Sequence, residues 1–307
     1  MVKYIFKRLG QTVIVLFFVS VIAFLLIRLA GGNPALLLAG DGATDAEIAE
    51  IERSLGLDQP LVVQYFKYIG NILRGDLGRS TSYGMPVANL ILSRFPNTLK
   101  LASVTVLFGC ILAIPLGIIA GSHQGTVIDF FATLFALLGQ SMANMWKAVV
   151  FIYIFSVWLG WLPSIGMEGG IKSYVLPVMT LGWQMSAQVT RISRSGMIDT
   201  LHEDFITATY AKGIHPLVVR WKYAFKNAVC PVITLVGMRF GTMLAGTIIV
   251  EAIFSWPGLG QLLNTAVNQR DYALVQALLL LSGAMFAIIN FAVDIINSLV
   301  DPRIKLR

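Results

Sequence analysis

The residues that could do chemistry in this chain are few, and most stand in apolar surroundings. Lys147, Arg239, Glu251 and Asp294 each interrupt an apolar run. A charge near the centre of a bilayer costs about 2.5–3.5 kcal/mol or more, so such groups are functional candidates by default. Arg239 falls close to the middle of its apolar run, between Gly237 and Gly241, and Lys147 lies in the outer half of its own. A water-filled path lined by these two basic groups would attract a carboxylate. The plainer alternatives are that Lys147 snorkels to an interface and that Arg239 is neutralised by another subunit. A proton- or sodium-driven carrier would instead place carboxylates near the midplane. Other chemistries lack their motifs: the chain has no G-x-x-x-x-G-K-[ST] phosphate loop, no H-E-x-x-H, no C-x-x-C and no G-x-S-x-G elbow. His123, His202 and His215 are far apart in sequence, so neither a metal site nor a catalytic residue is expected.

The elements that must position these groups follow from composition. Of 307 residues, 56% are apolar and only 13% charged, against about 45–50% and about 25% in soluble domains. An ordinary soluble enzyme and a disordered chain are both excluded. Cys110 and Cys230 sit in apolar runs and read as buried thiols rather than a disulfide framework. A bilayer core about 30 Å thick takes roughly 20 apolar residues as helix. Six stretches qualify: Leu9–Ala30, Leu99–Ala120, Ile128–Leu159, Tyr174–Val189, Ala228–Phe254 and Ala273–Val300. The third is long enough to tilt or break, with Gly139 and Asn144 as break points. The fourth is the most polar, interrupted by Pro177, Gln184 and Gln188. The first has the basic start of a signal peptide, but its length reads as a retained helix.

Orientation follows from basic residues in the connections. With the N-terminus inside, the inner segments hold Lys3, Lys7, Arg8, Arg191, Arg194, Lys212, Arg220, Lys222, Lys226, Arg303, Lys305 and Arg307. The short outer connections hold only Lys172 and Arg270. The expectation is an all-α polytopic membrane protein with six transmembrane helices and both termini cytoplasmic. The same distribution accounts for much of the net charge of +7, so the lipid bilayer is the implied partner and nucleic acid is not. Four segments result: 1–30, an N-terminal transmembrane helix; 31–93, an extracytoplasmic segment with short helices; 94–300, the remaining five spans; and 301–307, a cytoplasmic tail.

Two soluble pieces carry signals. Thr44-x-x-Glu47 is a capping box opening a helix from Asp45 to about Leu55, with Gly56 as its stop. Leu61, Val62, Tyr65, Phe66, Ile69, Ile72 and Leu73 then recur at helical spacing, too briefly to span, predicting a helix on the membrane face or on the helix ends. In the inner connection, Thr200-x-x-Glu203 is a second capping box. Leu201, Phe205, Ala208 and Lys212 follow at steps of three and four, and Gly213 and Pro216 close the helix. This helix of about 201–212 mixes aromatic and small residues, which suits either a groove on a cytosolic partner or packing on the membrane surface.

The stretch Glu203-Asp204-Phe205-Ile206-Thr207-Ala208-Thr209-Tyr210-Ala211-Lys212-Gly213 resembles the cytoplasmic-loop signature of permease subunits of binding-protein-dependent ABC importers, in the dipeptide, oligopeptide and nickel branch. Lys226-Asn227-Ala228-Val229-Cys230-Pro231 and Glu251-Ala252-Ile253-Phe254-Ser255-Trp256-Pro257-Gly258-Leu259-Gly260 resemble further signatures of that branch. So do Arg270-Asp271-Tyr272, Asn290, Asp294 and Asp301-Pro302-Arg303. Arg74-Gly75-Asp76-Leu77-Gly78-Arg79-Ser80, Arg94-Phe95-Pro96-Asn97-Thr98-Leu99 and Leu159-Gly160-Trp161-Leu162-Pro163-Ser164 are similar to the first permease of each pair. The resemblance implies the type I ABC importer permease fold. It implies a second homologous permease, two cytosolic ATPases that bind ATP and magnesium, and an extracytoplasmic solute-binding protein. This chain would then bind no cofactor itself and act in a bacterial inner membrane.

By the same resemblance, Glu203, Asp204, Phe205, Ala208, Tyr210, Ala211, Lys212 and Gly213 belong to a coupling helix docked on an ATPase. Trp256, Pro257, Gly258, Arg270 and Asp271 belong to an outer loop or gate. The implied cargo is a di- or oligopeptide, with a nickel chelate, glutathione or another small solute as the alternative. A stand-alone secondary carrier and a structural scaffold are rivals of other classes. Departures from the branch pattern are Tyr210 in place of Arg, the order Ala208-Thr209, Tyr223 in place of His, and the basic residues Lys147 and Arg239. In a background with Cys110 and Cys230 replaced by Ala, an impermeant thiol reagent on spheroplasts is expected to label a cysteine at Arg270 and not one at Lys212. The opposite pattern would invert the topology.

Overall fold

The computed structural model describes residues 2–29 and 44–300. Among them the regular structure is helical, with one isolated antiparallel bridge, Arg79 to Pro86. The helices are α1 (Val2–Leu29), α2 (Asp45–Leu55), α3 (Leu61–Leu73), α4 (Val87–Ser122), α5 (Val127–Ser141) and α6 (Asn144–Phe151, prolonged through Trp158 by wider turns). They continue as α7 (Lys172–Leu201), α8 (Asp204–Ala211), α9 (Phe225–Leu244, led in by Pro216–Ala224), α10 (Ile248–Ile253), α11 (Leu259–Asn268) and α12 (Tyr272–Val300). Among the described residues, four helices are long and apolar enough to cross a membrane: α1, α4, Pro216–Leu244 and α12. The α5–α6 pair, bent by 103° at its break, would make a fifth. α7 is too polar to qualify, as Thr180, Gln184, Gln188 and Thr190 suggest.

Pairing fixes the helix directions. Arg8 pairs with Asp294, and Gly283 lies against Val19, so α1 and α12 are antiparallel. Thr234 to Asn297 and Ala245 to Ser282 make α9 and α12 antiparallel. Asp129 to Arg194 and Phe135 to Trp183 do the same for α5 and α7. α4 and α7 run parallel: Gly109, Gly117 and Gly121 meet Met185, Ser193 and Met197 in turn. The start of α1, the end of α12 and α8 thus share one end of the bundle, called here the α8 end.

The α4–α7 seam is built for close approach. A Cβ on Gly117 would strike Ser193 and the Thr190 carbonyl, 2.9 Å away; on Gly121 it would strike Met197 and the Arg194 carbonyl, 2.8 Å away. Small residues let helix backbones touch where lipid supplies no hydrophobic drive. Ser186 and Thr190 hydroxyls donate to the carbonyls of Gly109 and Ala113, each at 3.4 Å. Leu101, Ala113, Leu176, Leu181, Met185 and Val189 form the core beside this seam.

Several expectations meet the structure directly. The Thr44–Glu47 capping box is formed, and Gly56 closes α2 at φ +69°. The Thr44 amide and hydroxyl donate to the Glu47 carboxylate and hold it below its ordinary range. α3 packs on α1: the Tyr65 hydroxyl and the Ser20 hydroxyl are 2.8 Å apart, and the Tyr65 ring meets Phe17 and Phe24 edge-on. Leu61, Val62, Phe66 and Leu73 face outward, as on a helix lying at a membrane face. The third stretch breaks at Met142 and Ala143, between Gly139 and Asn144.

Others need correction. The Thr200–Glu203 capping box does not form. Thr200 is buried in the last turn of α7, and Glu203 is the N-cap of α8 without a side-chain cap. α7 overruns the expected Val189 end because Ser193 and Met197 continue its packing on α4. The fifth stretch is not one helix: α9 stops at Leu244 and Gly246, at φ +104°, turns the chain into α10. α4 begins at Val87, so the expected boundary at 93/94 falls inside a helix. The signature at Asp301–Arg303, the tail 301–307 and the 30/31 boundary lie outside the described residues. Gly117→Val is expected to prise α4 from α7 and destabilise the protein by about 1–3 kcal/mol, read as a lowered Tm of the detergent-solubilised complex. An unchanged Tm would refute the close seam.

Candidate functional site

At the α8 end, a short helix is pinned on one side and free on the other. Ile206 is 1% exposed and packs with Ile118, Met197, Val219 and Ala224. Thr209 is buried beside it, its hydroxyl donating to the Phe205 carbonyl at 2.6 Å. Glu203, Asp204, Phe205, Ala208, Tyr210, Ala211, Lys212 and Gly213 are all exposed. Every candidate docking residue therefore lies on the free side, and the two anchors are residues outside that set. Gly213 takes φ +75° and its N–H reaches the Tyr210 carbonyl at 2.9 Å, ending the helix where a side chain would be strained. His215 then caps the next turn, accepting from the Leu217 N–H at 3.3 Å. Leu217, Val218 and Trp221 extend the exposed apolar surface next to α8. Sequence reading missed these three, because they lie in the lead-in to a helix and break its apolar periodicity only locally.

The same end is clamped by an ion pair. Asp129 accepts from Arg194 Nε at 2.5 Å and from its terminal nitrogen at 2.8 Å, and from the Gly125 N–H at 3.0 Å. A two-pronged carboxylate–guanidinium contact fixes geometry as well as charge. It ties the start of α5 to α7 just before α8.

At the opposite end, the outer-loop candidates Trp256, Gly258 and Asp271 are buried, Pro257 is half-buried and Arg270 is exposed. Trp256 is fully buried, stacks edge-on with Tyr174, and donates to the Asn97 carbonyl at 3.2 Å. Asn97 donates in turn to the Pro257 carbonyl at 2.9 Å. Glu251, also fully buried, accepts from Gly260 N–H at 2.8 Å, Gln261 N–H at 3.1 Å and the Thr98 hydroxyl at 3.1 Å. Thr98 itself accepts from Leu259 N–H at 2.8 Å. Gly258 leaves room for this knot, since a Cβ there would meet the Glu251 carboxylate and Thr98. The carboxylate thus caps the start of α11. Asp271 does the same for α12, accepting from Leu274 N–H at 3.2 Å, and it also takes the Ser80 hydroxyl at 2.5 Å and Ser82 N–H at 3.1 Å. Arg270 adopts φ +54°, an unusual strain for a non-glycine residue, at the turn that aims Asp271.

The two basic path candidates are not brought together. Arg239, near the far end of α9, lines a cavity of about 140 Å³ with Asn144, Leu181, Gln184, Met185, Thr242, Met243 and Thr247. Lys147 is 1% exposed and does not line that cavity; its Nζ donates to the Gly139 carbonyl at 3.2 Å. Gly139 lies in the last turns of α5, where helix carbonyls lack partners and carry partial negative charge. Lys147 therefore closes the α5–α6 break rather than reaching toward an interface. Asp294, near the α8 end, is paired with Arg8 at 2.9 Å. Cys110 and Cys230 are half-buried rather than buried.

A helical bundle with several bilayer-length apolar spans, a pinned helix at one end and a knotted loop at the other defines a polytopic membrane protein. Residues 113–306 match the family described as binding-protein-dependent transport system inner membrane component, and residues 1–102 match its N-terminal companion. The chain belongs to this family. It is 40% identical to the glutathione transport system permease protein GsiC of Escherichia coli O6:H1 over the full length of both chains. The protein of that name in Salmonella paratyphi A is 38% identical, again over both full lengths. In fold it resembles an inward-facing MetNI methionine ABC transporter, with a TM-score of 0.58 at 19% identity over 69% of this chain and 96% of that one. An amino acid ABC transporter with histidines gives 0.52 at 18%, over 70% and 94%. This chain is thus a multi-pass inner-membrane permease subunit of an ABC importer, with the type I permease fold; ATP hydrolysis belongs to a separate subunit. Glu251→Gln leaves one fewer acceptor for three donors and should destabilise the complex by about 1–3 kcal/mol, seen as a fall in Tm. A neutral result would remove the knot from this account.

Proposed function

We propose that this chain pairs with a second, homologous permease to form one half of a path for small peptides, glutathione among them. Two cytosolic ATPases, which hold ATP and magnesium, drive the cycle, and a solute-binding protein delivers the cargo from outside. The N- and C-termini and α8 then face the cytoplasm, and α1, α4, α5–α6, α7, α9 and α12 make six crossings. The contacts that set the helix directions, which alternate along the chain, support that count. α7 can afford its polarity because it is enclosed by α4, α5 and α9 rather than by lipid.

The single observation that carries the coupling reading is the two-sided α8. Ile206 ties it to α4, α7 and the α9 lead-in and Thr209 is buried beside it, while Phe205, Ala208, Tyr210 and Ala211 remain free. Small Ala208 and Ala211 let a groove approach, and the aromatic rings fill it. A push on α8 is then a push on the bundle, as expected where rigid elements switch access between two sides. Names of the relatives support glutathione, a tripeptide, as cargo; the same machine carrying other peptides or a metal chelate is the second reading. A stand-alone carrier is disfavoured because Glu251 is spent on capping α11 and Asp294 on its ion pair with Arg8, and neither lines the Arg239 cavity.

The test is reconstitution of the permease pair in proteoliposomes with and without the ATPases and binding protein. Uptake is expected only in the full assembly. Ala208→Arg should lower ATP-driven uptake by roughly tenfold or more while leaving the Tm unchanged. Uptake by the permeases alone, or full activity of Ala208→Arg, would contradict the coupling role.

A further inference from the structure

The cavity at Arg239 has the makings of a recognition site. Three elements converge on it: the α5–α6 break brings Asn144, α7 brings Gln184, and α9 with its following turn brings Arg239, Thr242 and Thr247. Asn144 Nδ2 donates to Gln184 Oε1 at 2.9 Å. That contact occupies the acceptor of Gln184 and leaves its Nε2 as a donor. The Thr242 hydroxyl is spent on the Arg239 carbonyl at 2.8 Å, so the free donors are the guanidinium, Gln184 Nε2 and the Thr247 hydroxyl. Asn144 Oδ1 is buried and makes no hydrogen bond. Among the described residues, no carboxylate lies within ion-pair distance of Arg239; the two ion pairs found use Arg8 and Arg194.

An uncompensated guanidinium within a membrane helix calls for an anion. The surroundings favour a planar one, since a guanidinium matches a carboxylate through two parallel hydrogen bonds. A volume of about 140 Å³ is below the roughly 300 Å³ at which whole drug-sized ligands begin to fit. It suits an end group. Lys147 serves as a positioning residue: by holding the Gly139 carbonyl it fixes the break that presents Asn144.

Resting on the permease reading above, we propose that this cavity is a carboxylate site in the transport path, where Arg239, Gln184 and Thr247 take one terminal carboxylate of the passing cargo. The site then adds a selection step of its own, independent of the binding protein: free acids pass and their neutral counterparts are held back.

The experiment uses the intact permease–ATPase complex in nanodiscs without binding protein, titrated with glutathione, with a plain tripeptide, and with the neutral ester or amide of each. Saturable binding of a free acid is expected, with the neutral forms weaker by roughly ten- to hundredfold. Arg239→Gln should erase that difference and Arg239→Lys should keep part of it. Equal binding of acids and neutral forms, no binding of any acid, or wild-type discrimination in Arg239→Gln would overturn the site. If Arg239→Gln instead dissociates the two permeases, the guanidinium is neutralised by the partner subunit, and the proposal also fails. ATP-driven uptake by the wild-type assembly is measured in parallel. Its absence sinks the permease reading, whereas uptake that is indifferent to Arg239→Gln sinks only the carboxylate site.

Discussion

The contact on which the rest of the structure depends is the parallel seam between α4 and α7. Gly109, Gly117 and Gly121 bring the two backbones together, and the hydroxyls of Ser186 and Thr190 stitch across the gap. In lipid there is no hydrophobic gain from joining two apolar helices, so close packing and hydrogen bonds must supply the adhesion. Gly117 and Gly121 have a physical reason to be glycines here, because a methyl group would collide with backbone that cannot move aside; at Gly109 it would meet only the Met185 side chain.

The seam matters because each end of it carries something different. Near the α8 end, Ile118 and Met197 form the floor on which Ile206 seats α8. At the other end of α4, Asn97 and Thr98 hold the loop of Trp256, Pro257 and Gly258, with Glu251 tying in the start of α11. One pair of helices thus joins the face that an ATPase would push to the loops at the far end of the membrane. Between them, the α5–α6 break and the end of α9 open the cavity at Arg239. A stiff pair with a cavity beside it is what a rocking mechanism requires, since the push must arrive without being absorbed on the way.

Much of this was legible in the sequence, and the misses have physical causes. Local rules worked where local physics decides: the Thr44–Glu47 box, the Gly56 and Gly213 stops, and the break between Gly139 and Asn144. The eight α8 residues assigned to docking came from resemblance to a family signature; all eight are exposed, and their docking role stands as a proposal. The Thr200–Glu203 box failed because tertiary packing of Ser193 and Met197 carries α7 through it; a capping motif cannot compete with a buried seam. The split at Gly246 was hidden by an apolar run that continues across it, for hydropathy cannot see a turn. Lys147 and Arg239 looked alike as basic residues in apolar stretches. Only the fold distinguishes a cation that closes a helix end from one that faces a cavity. The knot of Glu251 with Thr98 joins two motifs more than a hundred residues apart, a pairing that spacing along the chain cannot reveal.

The central claim is that α4 and α7 move as a single body when ATP acts on α8. Its most direct test is a pulsed electron–electron distance measurement between spin labels at Ile111 in α4 and Ser195 in α7. It is made in the assembled transporter, once free of nucleotide and once trapped with ATP during turnover. The account predicts one narrow distance distribution that is the same in both states. A shift of more than a few ångströms, or a second population under ATP, would show that the seam opens and would contradict it.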